Sequence, residues 1–211
     1  CEDVLPERKS MVLGEYEELL EAASDEFEFQ DFDENTIAVT FYTSGTTGNP
    51  KGVFFSHRQL VLHTLVEAAS LGTLPQKQGV VLGDVYMPMT PMFHVMAWGF
   101  PYTATMLGLK QVYPGRYAPD LLLKLIETEK VSITHCVPTI LQMLLKQAEA
   151  EGKKFNGLKM IIGGSRLTEG LASAALSSGI EVYTGYGMSE TAPLISITAV
   201  SYTHLTLPTS D

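Results

Sequence analysis

At 211 residues, with 45% hydrophobic and 18% charged side chains, the chain has the make-up of one sizeable globular domain and not of a disordered or fibrous protein. A formal net charge of −10 excludes the basic balance that non-specific nucleic-acid or anionic-lipid binding relies on, because both partners would repel the summed field. Two cysteines, Cys1 and Cys136, are too few and too far apart for a disulfide framework or a zinc site, which suits a reducing, cytoplasmic setting.

The acidic stretch 15–34 carries Tyr16, Leu19, Leu20 and Ala23 at the spacing of one helical face, so residues 1–35 read as a lead-in segment. From Thr36 onward compact apolar runs alternate with helical stretches. That alternation predicts an α/β domain over residues 36–200, a mostly parallel sheet with flanking helices. The predicted strands are 37–42, 52–55, 85–89, 132–136, 159–162 and 181–183. Ser56-His57-Arg58-Gln59 and Thr139-Ile140-Leu141-Gln142 fit the capping box and predict helix starts; Pro119 suits a first helical turn, and Gly179 closes the helix that begins near Thr168. No run reaches the roughly 18 apolar residues of a membrane span, and residues 1–9 lack a signal peptide's basic start and apolar run. A start at Cys1 instead of Met points to an internal piece. The hydroxyl-rich residues 201–211 are expected to be an edge strand with a tail, or sequence foreign to the domain.

The most informative stretch is Tyr42-Thr43-Ser44-Gly45-Thr46-Thr47-Gly48-Asn49-Pro50-Lys51-Gly52, between two predicted strands. Gly45 and Gly48 allow positive φ, so successive N–H groups can converge on an anion with no Cβ in the way. Four hydroxyls add donors or a metal ligand, Lys51 adds a full positive charge, and Pro50 stiffens the approach. A flexible polar surface loop is the plain alternative. A Walker-type loop fails, because it ends in Gly-Lys-Ser/Thr and runs into a helix, whereas here Pro50 precedes the lysine and Gly52 follows it.

With Pro91-Met92-Phe93-His94-Val95-Met96-Ala97-Trp98 and Gly185-Tyr186-Gly187-Met188-Ser189-Glu190-Thr191 following in order, this loop resembles the signature of the adenylate-forming superfamily of acyl-CoA synthetases, adenylation domains and luciferases. The middle motif is most similar to that of bacterial medium- and long-chain fatty acid:CoA ligases. The resemblance covers about residues 36 to 198 and implies a partial N-terminal domain of such an enzyme.

The activity it implies is a ligase reaction on a fatty acid. The carboxylate attacks the α-phosphorus of ATP to give acyl-AMP, and the thiol of coenzyme A (CoA) then displaces AMP. Negative charge develops in both halves, so cations and positioned donors should carry catalysis. By resemblance, Thr43, Ser44, Gly45, Thr46, Thr47, Gly48 and Lys51 hold the β- and γ-phosphates, and Thr43 and Glu190 share a Mg²⁺ ion as hard oxygen ligands. Gly164, Thr184, Gly185, Tyr186 and Ser189 fall to the nucleotide. His94 falls to the acyl carboxylate, and Trp98 to the fatty-acid tunnel.

Each residue has a plainer reading. His94, Trp98 and Tyr186 could be core groups, Glu190 a surface carboxylate, Gly163-Gly164 an ordinary strand-to-helix turn, and Met87, Met89, Met92, Met96 and Phe100 either a pliable pocket wall or core. Arg166-Leu167 departs from the small residues or proline usual after these glycines, which bears on the acyl pocket. The family's ribose-binding aspartate, the arginine after it, and the C-terminal domain with its adenylation lysine are not in the sequence, so the chain alone is expected to make no appreciable acyl-CoA. Aryl- or amino-acid activation, and a non-catalytic nucleotide-binding module, are the competing functions; the resemblance leaves a homodimer of the whole protein open.

Overall fold

The computed structural model describes residues 13–43, 49–73, 79–192 and 194–200. The chain divides into two compact units, 1–33 and 34–211. The first contains helix α1 (Leu13–Ala22), whose Tyr16, Leu19 and Leu20 are exposed, and the edge-to-face pair Phe27–Phe29.

The second unit opens with β1 (Ile37–Thr43) and β2 (Lys51–Ser56), an antiparallel pair that forms its own two-stranded sheet. This corrects the expectation that these strands enter the parallel sheet. Only residues 44–50 join them, and a parallel crossover needs roughly a dozen residues or more. β2 runs directly into α2 (His57–Gly72), where the capping box forms as read: the Ser56 N–H donates to Gln59 Oε1 at 2.8 Å, and the Gln59 N–H donates to Ser56 Oγ at 3.3 Å.

The main sheet holds β3 (Val85–Pro88), β4 (Lys110–Gln111), β5 (Ile133–Cys136), β6 (Leu158–Ile162), β7 (Ile180–Gly187) and β8 (Leu194–Ala199), in spatial order β4-β3-β5-β6-β7-β8. All neighbours are parallel except β7 and β8. β4 and β8 were not foreseen. β4 has only two residues, and β8 reads Leu-Ile-Ser-Ile-Thr-Ala with only half of its positions better than exposed, a weak edge-strand pattern.

Between the strands lie α3 (Val95–Trp98), α4 (Phe100–Met106), α5 (Pro119–Glu129), α6 (Pro138–Ala150) and α7 (Glu169–Ser177). Pro119 starts α5 as expected. The second capping box is a correction: α6 begins at Pro138 after Val137, with no side-chain cap, so Thr139 is already helical. Proline's fixed φ pre-shapes that first turn and removes one orphan N–H. Gly179 follows α7 at φ +87°, and a Cβ there would lie 2.1 Å from the Phe155 carbonyl oxygen, so only glycine fits.

Alternation along the strands sends residues to two cores. Met87, Met160 and Ile162 pack with Leu122, Leu141 and Leu144 of α5 and α6, while Tyr86, Ile133, Ile161 and Tyr183 pack with Leu71 of α2 and Phe100 of α4. Helices on both faces explain why β5 and β6 are buried at every position. One buried charge is paired: Lys159 Nζ lies 2.9 Å from Asp84 Oδ2 and also donates to the Gly79 carbonyl at 2.7 Å. Burial alone would raise the Asp84 carboxyl; hydrogen bonds from Ser132, Lys159 and the Val81 N–H outweigh it and hold the pKa below its ordinary value.

Candidate active site

A cavity of about 520 Å³ opens where β6 and β7 end, drawing its lining from five separated segments. Crevices at strand carboxyl ends are where open α/β sheets bind ligands. Thr43 and Lys51 come from the hairpin, where they are register partners on either side of residues 44–50. Ser44, Gly45, Thr46, Thr47 and Gly48 lie outside the described residues. His94, Val95 and Trp98 come from the segment after β3, Gly163 and Gly164 from the end of β6, and Gly185, Gly187, Met188, Ser189 and Glu190 from β7 and the turn after it. Leu194 of β8 closes the wall, and its carbonyl accepts from His63 Nε2 at 3.2 Å, which ties it to α2.

Close approach explains the glycines of the floor. A Cβ on Gly163 would sit 2.9 Å from the Gly185 carbonyl oxygen and 3.1 Å from Cη2 of Trp98; one on Gly185 would sit 3.0 Å from Leu194 Cδ1. Gly164 stands at φ +76°. Side chains at these positions would fill the space between the two strand ends and the indole.

The wall opposite has an unusual backbone. Val95, Met96, Ala97 and Trp98 all have positive φ, between 47° and 63°, and Gly99 continues at 79°. The turn is closed by the Ala97 N–H donating to the His94 carbonyl and the Gly99 N–H to that of Met96. α3 is thus a left-handed turn of non-glycine residues, a conformation that costs about 1–2 kcal/mol per residue and persists only where packing imposes it. It buries Val95, Ala97 and Trp98 while leaving His94 exposed at the cavity.

Most of the residues singled out from sequence therefore meet in one place: Thr43, Lys51, His94, Trp98, Gly164, Gly185, Ser189 and Glu190 all line the cavity. Thr184 and Tyr186 do not. The Thr184 hydroxyl faces the Thr198 carbonyl at 3.5 Å, and Tyr186 is 60% exposed, so it is no core ring either. The core reading fails for His94 as well, but holds for Met87, Met89 and Phe100, which are buried away from the cavity. Arg166 and Leu167 are not among the lining residues. Leu194 was missed because the strand that carries it was missed.

A hydroxyl and a carboxylate facing one cavity are the donor set a hard divalent cation accepts. Among the described residues no cluster of three or more histidines, cysteines or carboxylates exists, so such an ion at Thr43 and Glu190 would complete its shell with water and phosphate.

The family model described as AMP-binding enzyme matches residues 2–210. The chain belongs to the AMP-binding enzyme family. It is 40% identical over 202 residues to a 3-methylmercaptopropionyl-CoA ligase of Ruegeria lacuscaerulensis, covering 93% of this chain and 36% of that protein. With a long-chain-fatty-acid–CoA ligase of Thermus thermophilus the identity is 43% over 156 residues, 73% of this chain and 28% of the relative. A medium-chain-fatty-acid–CoA ligase of Ectopseudomonas oleovorans is 40% identical over 181 residues, 84% and 32%. Among solved structures, o-succinylbenzoate CoA synthetase of Bacillus subtilis in complex with ATP and magnesium ion superposes with a TM-score of 0.72 at 25% identity, covering 90% of this chain and 40% of that one. The chain thus spans about a third of the length of these curated relatives. No helix among the described residues is long and apolar enough to cross a membrane.

Proposed function

We propose that the protein carrying this chain is an AMP-forming acid:CoA ligase that activates a fatty acid with ATP and Mg²⁺. The carboxylate oxygen bonds to the α-phosphorus as the bond to pyrophosphate breaks; the CoA thiol then bonds to the acyl carbon as AMP leaves and the thiol proton passes to solvent. The supporting observation is the meeting of Thr43, Lys51, His94, Gly164, Ser189 and Glu190 at one cavity, although they are spread over almost 150 residues of chain.

In this reading Lys51 and the loop 44–48 hold the β- and γ-phosphates, and Lys51 opposes the charge that gathers on the leaving pyrophosphate. Glu190 and Thr43 hold the Mg²⁺ ion, which when bound neutralises phosphate charge. His94, exposed at the cavity after the β3 end, faces the acid and donates a hydrogen bond to the charge that develops on the α-phosphoryl oxygens as the carboxylate attacks. Gly164 and Gly185 let the nucleotide approach the backbone, Ser189 donates to it, and Thr184 and Tyr186 flank it from outside the lining seen here. Residues 1–35 serve as a lead-in, residues 36–200 as the nucleotide-binding part, and residues 201–211 as a tail. A cytoplasmic setting, where ATP and CoA are available, accompanies this reading.

The three curated relatives differ in acid, from a methylmercapto-propionate to long-chain fatty acids, and the fatty-acid choice rests on the middle motif. ATP–pyrophosphate exchange by the full-length protein across fatty, aryl and amino acids tests it. Exchange is expected with fatty acids and is expected to fall about 10²- to 10³-fold in Lys51→Ala; exchange with amino or aryl acids only sinks the fatty-acid reading, and an unchanged Lys51→Ala removes the loop from the mechanism.

A further inference from the structure

We propose that His63 is a positioning residue for the metal: by bonding the start of β8 it ties the turn that bears Glu190 to α2, the helix that follows the hairpin of Thr43 and Lys51. The proposal rests on the reading of Thr43 and Glu190 as Mg²⁺ ligands above.

Glu190 stands in a single 3₁₀ turn, Ser189–Thr191, between β7 and β8. Within it the Met188 N–H donates to Thr191 Oγ1 at 3.1 Å, and the Thr191 hydroxyl donates to the Met188 carbonyl at 2.9 Å. These bonds give the turn its shape but not its place, since both partners belong to the turn. Its place depends on the two strands that flank it. β7 lies inside the sheet, paired on both sides, whereas β8 is the edge strand. The β7–β8 ladder is also irregular at its step nearest the turn, where the register shifts between Tyr186 and Gly187. Ala192, buried on the return side, takes φ +65°, a left-handed conformation that a residue with a Cβ keeps only under support from its surroundings.

His63 supplies a hold at that point. Half-buried on α2, it has Nε2 3.2 Å from the Leu194 carbonyl oxygen, and because a carbonyl only accepts, Nε2 carries the proton and donates. Burial lowers the pKa of the ring, against the Leu194 bond, which raises it, so the neutral imidazole spends its one N–H here. A Cβ on Gly99 would lie 3.4 Å from His63 Cε1 and Nδ1 and 3.5 Å from the Ala192 carbonyl oxygen, so both sides of the return segment meet α2 and Gly99 at one point. α2 in turn starts directly after β2, locked to it by the Ser56 capping box. The His63–Leu194 bond therefore closes a circuit around the cavity, from Thr43 and Lys51 through α2 to Leu194 and Glu190. Mg²⁺ tolerates little departure from octahedral geometry, so a carboxylate on a turn free to drift holds it poorly.

In the full-length protein, ATP binding is measured by calorimetry with Mg²⁺ and with EDTA, and the ratio of the two dissociation constants reads what the metal adds. His63→Leu keeps the bulk and removes the donor. It is expected to lower that ratio about tenfold or more, the usual cost of losing a group that orients a metal ligand, with metal-free ATP affinity and KM for the acid unchanged. His63→Gln, whose amide can donate to the same carbonyl, should restore most of the ratio. Glu190→Gln should lower it by itself, and His63→Leu should add nothing in that background, because both act through one carboxylate.

An unmoved ratio in His63→Leu, a His63→Gln that does no better than His63→Leu, or losses that add in the Glu190→Gln background reduces His63 to a packing residue and overturns the proposal. Should His63→Leu fail to fold, His63→Asn decides, its amide standing one methylene short of that of glutamine: the ratio is expected to fall, and an unmoved ratio overturns it. If Glu190→Gln leaves the ratio unmoved, the metal reading falls and takes this inference with it; if Glu190→Gln lowers the ratio and His63→Leu does not, only the inference falls.

Discussion

The two sides of the cavity are built on different principles. The floor, made of Gly163, Gly164 and Gly185 against Trp98, lies at the ends of central strands, and sub-3.5 Å approaches leave its backbone no slack. The hairpin β1–β2 forms a separate two-stranded sheet whose Tyr42 and Phe54 are exposed, and it offers Lys51 to the cavity from an exposed position. Floor residues are fixed by the fold; hairpin residues are only presented by it. Changes in the hairpin should therefore cost activity and spare stability, while changes in the floor should cost both.

The sharpest test of that difference is Lys51→Ala. Loss of its charge should lower the exchange rate of the full-length protein about 10²- to 10³-fold, the usual effect of removing one positioned electrostatic group, with thermal stability unchanged. Gly163→Ala follows: its methyl must displace the Gly185 carbonyl or the indole, an overpacking worth about 1–3 kcal/mol, so both the unfolding midpoint and exchange should drop. A Gly163→Ala protein with full stability and no exchange would erase the distinction between the two sides.

Glu67 of α2, the helix that follows the hairpin, accepts the Thr103 hydroxyl of α4, and its Oε1 has no partner among the described residues. Burial pushes its carboxyl up to about 8, against the opposing pull of the Thr103 bond. The folded protein then keeps this proton up to about pH 8, whereas the unfolded chain releases it near 4.5, so the stabilisation is complete below 4.5 and is lost as pH rises through 8. Glu67→Gln, which imitates the protonated form, should remove that alkaline loss and gain about 1–3 kcal/mol at pH 8 by denaturant titration. His135 acts in the opposite sense: burial lowers it to about 3, so its contribution is complete above 6.5 and is lost toward acid, and that arm should persist in Glu67→Gln. The smallest effect is expected for Ser56→Ala at the hairpin–helix junction, about 1 kcal/mol in stability from the lost cap.

Legibility in the sequence followed the range of the interaction concerned. The Ser56 box, the Pro119 start and the Gly179 stop rest on neighbours within a few residues, and the structure has them where they were read. Thr139 misled because Pro138, one position earlier, outcompetes a hydroxyl for the helix start. The antiparallel hairpin could have been read from its seven-residue connection, since no parallel crossover fits it. The left-handed turn at Val95–Trp98 gave no such signal, because no glycine or asparagine marks those four positions.

By itself, then, the sequence determined the layered α/β class and the identity of the groups with chemistry to offer, Lys51, His94, Ser189 and Glu190 among them, because period, turn residues and charge are properties of short segments. The tertiary structure decided which of them share a cavity, that Thr184 and Tyr186 lie outside its lining, and that His135 has Tyr86 and Thr90 as its hydrogen-bond partners. Those partners lie 49 and 45 residues away along the chain, and only the parallel pairing of β3 with β5 brings them within bonding distance.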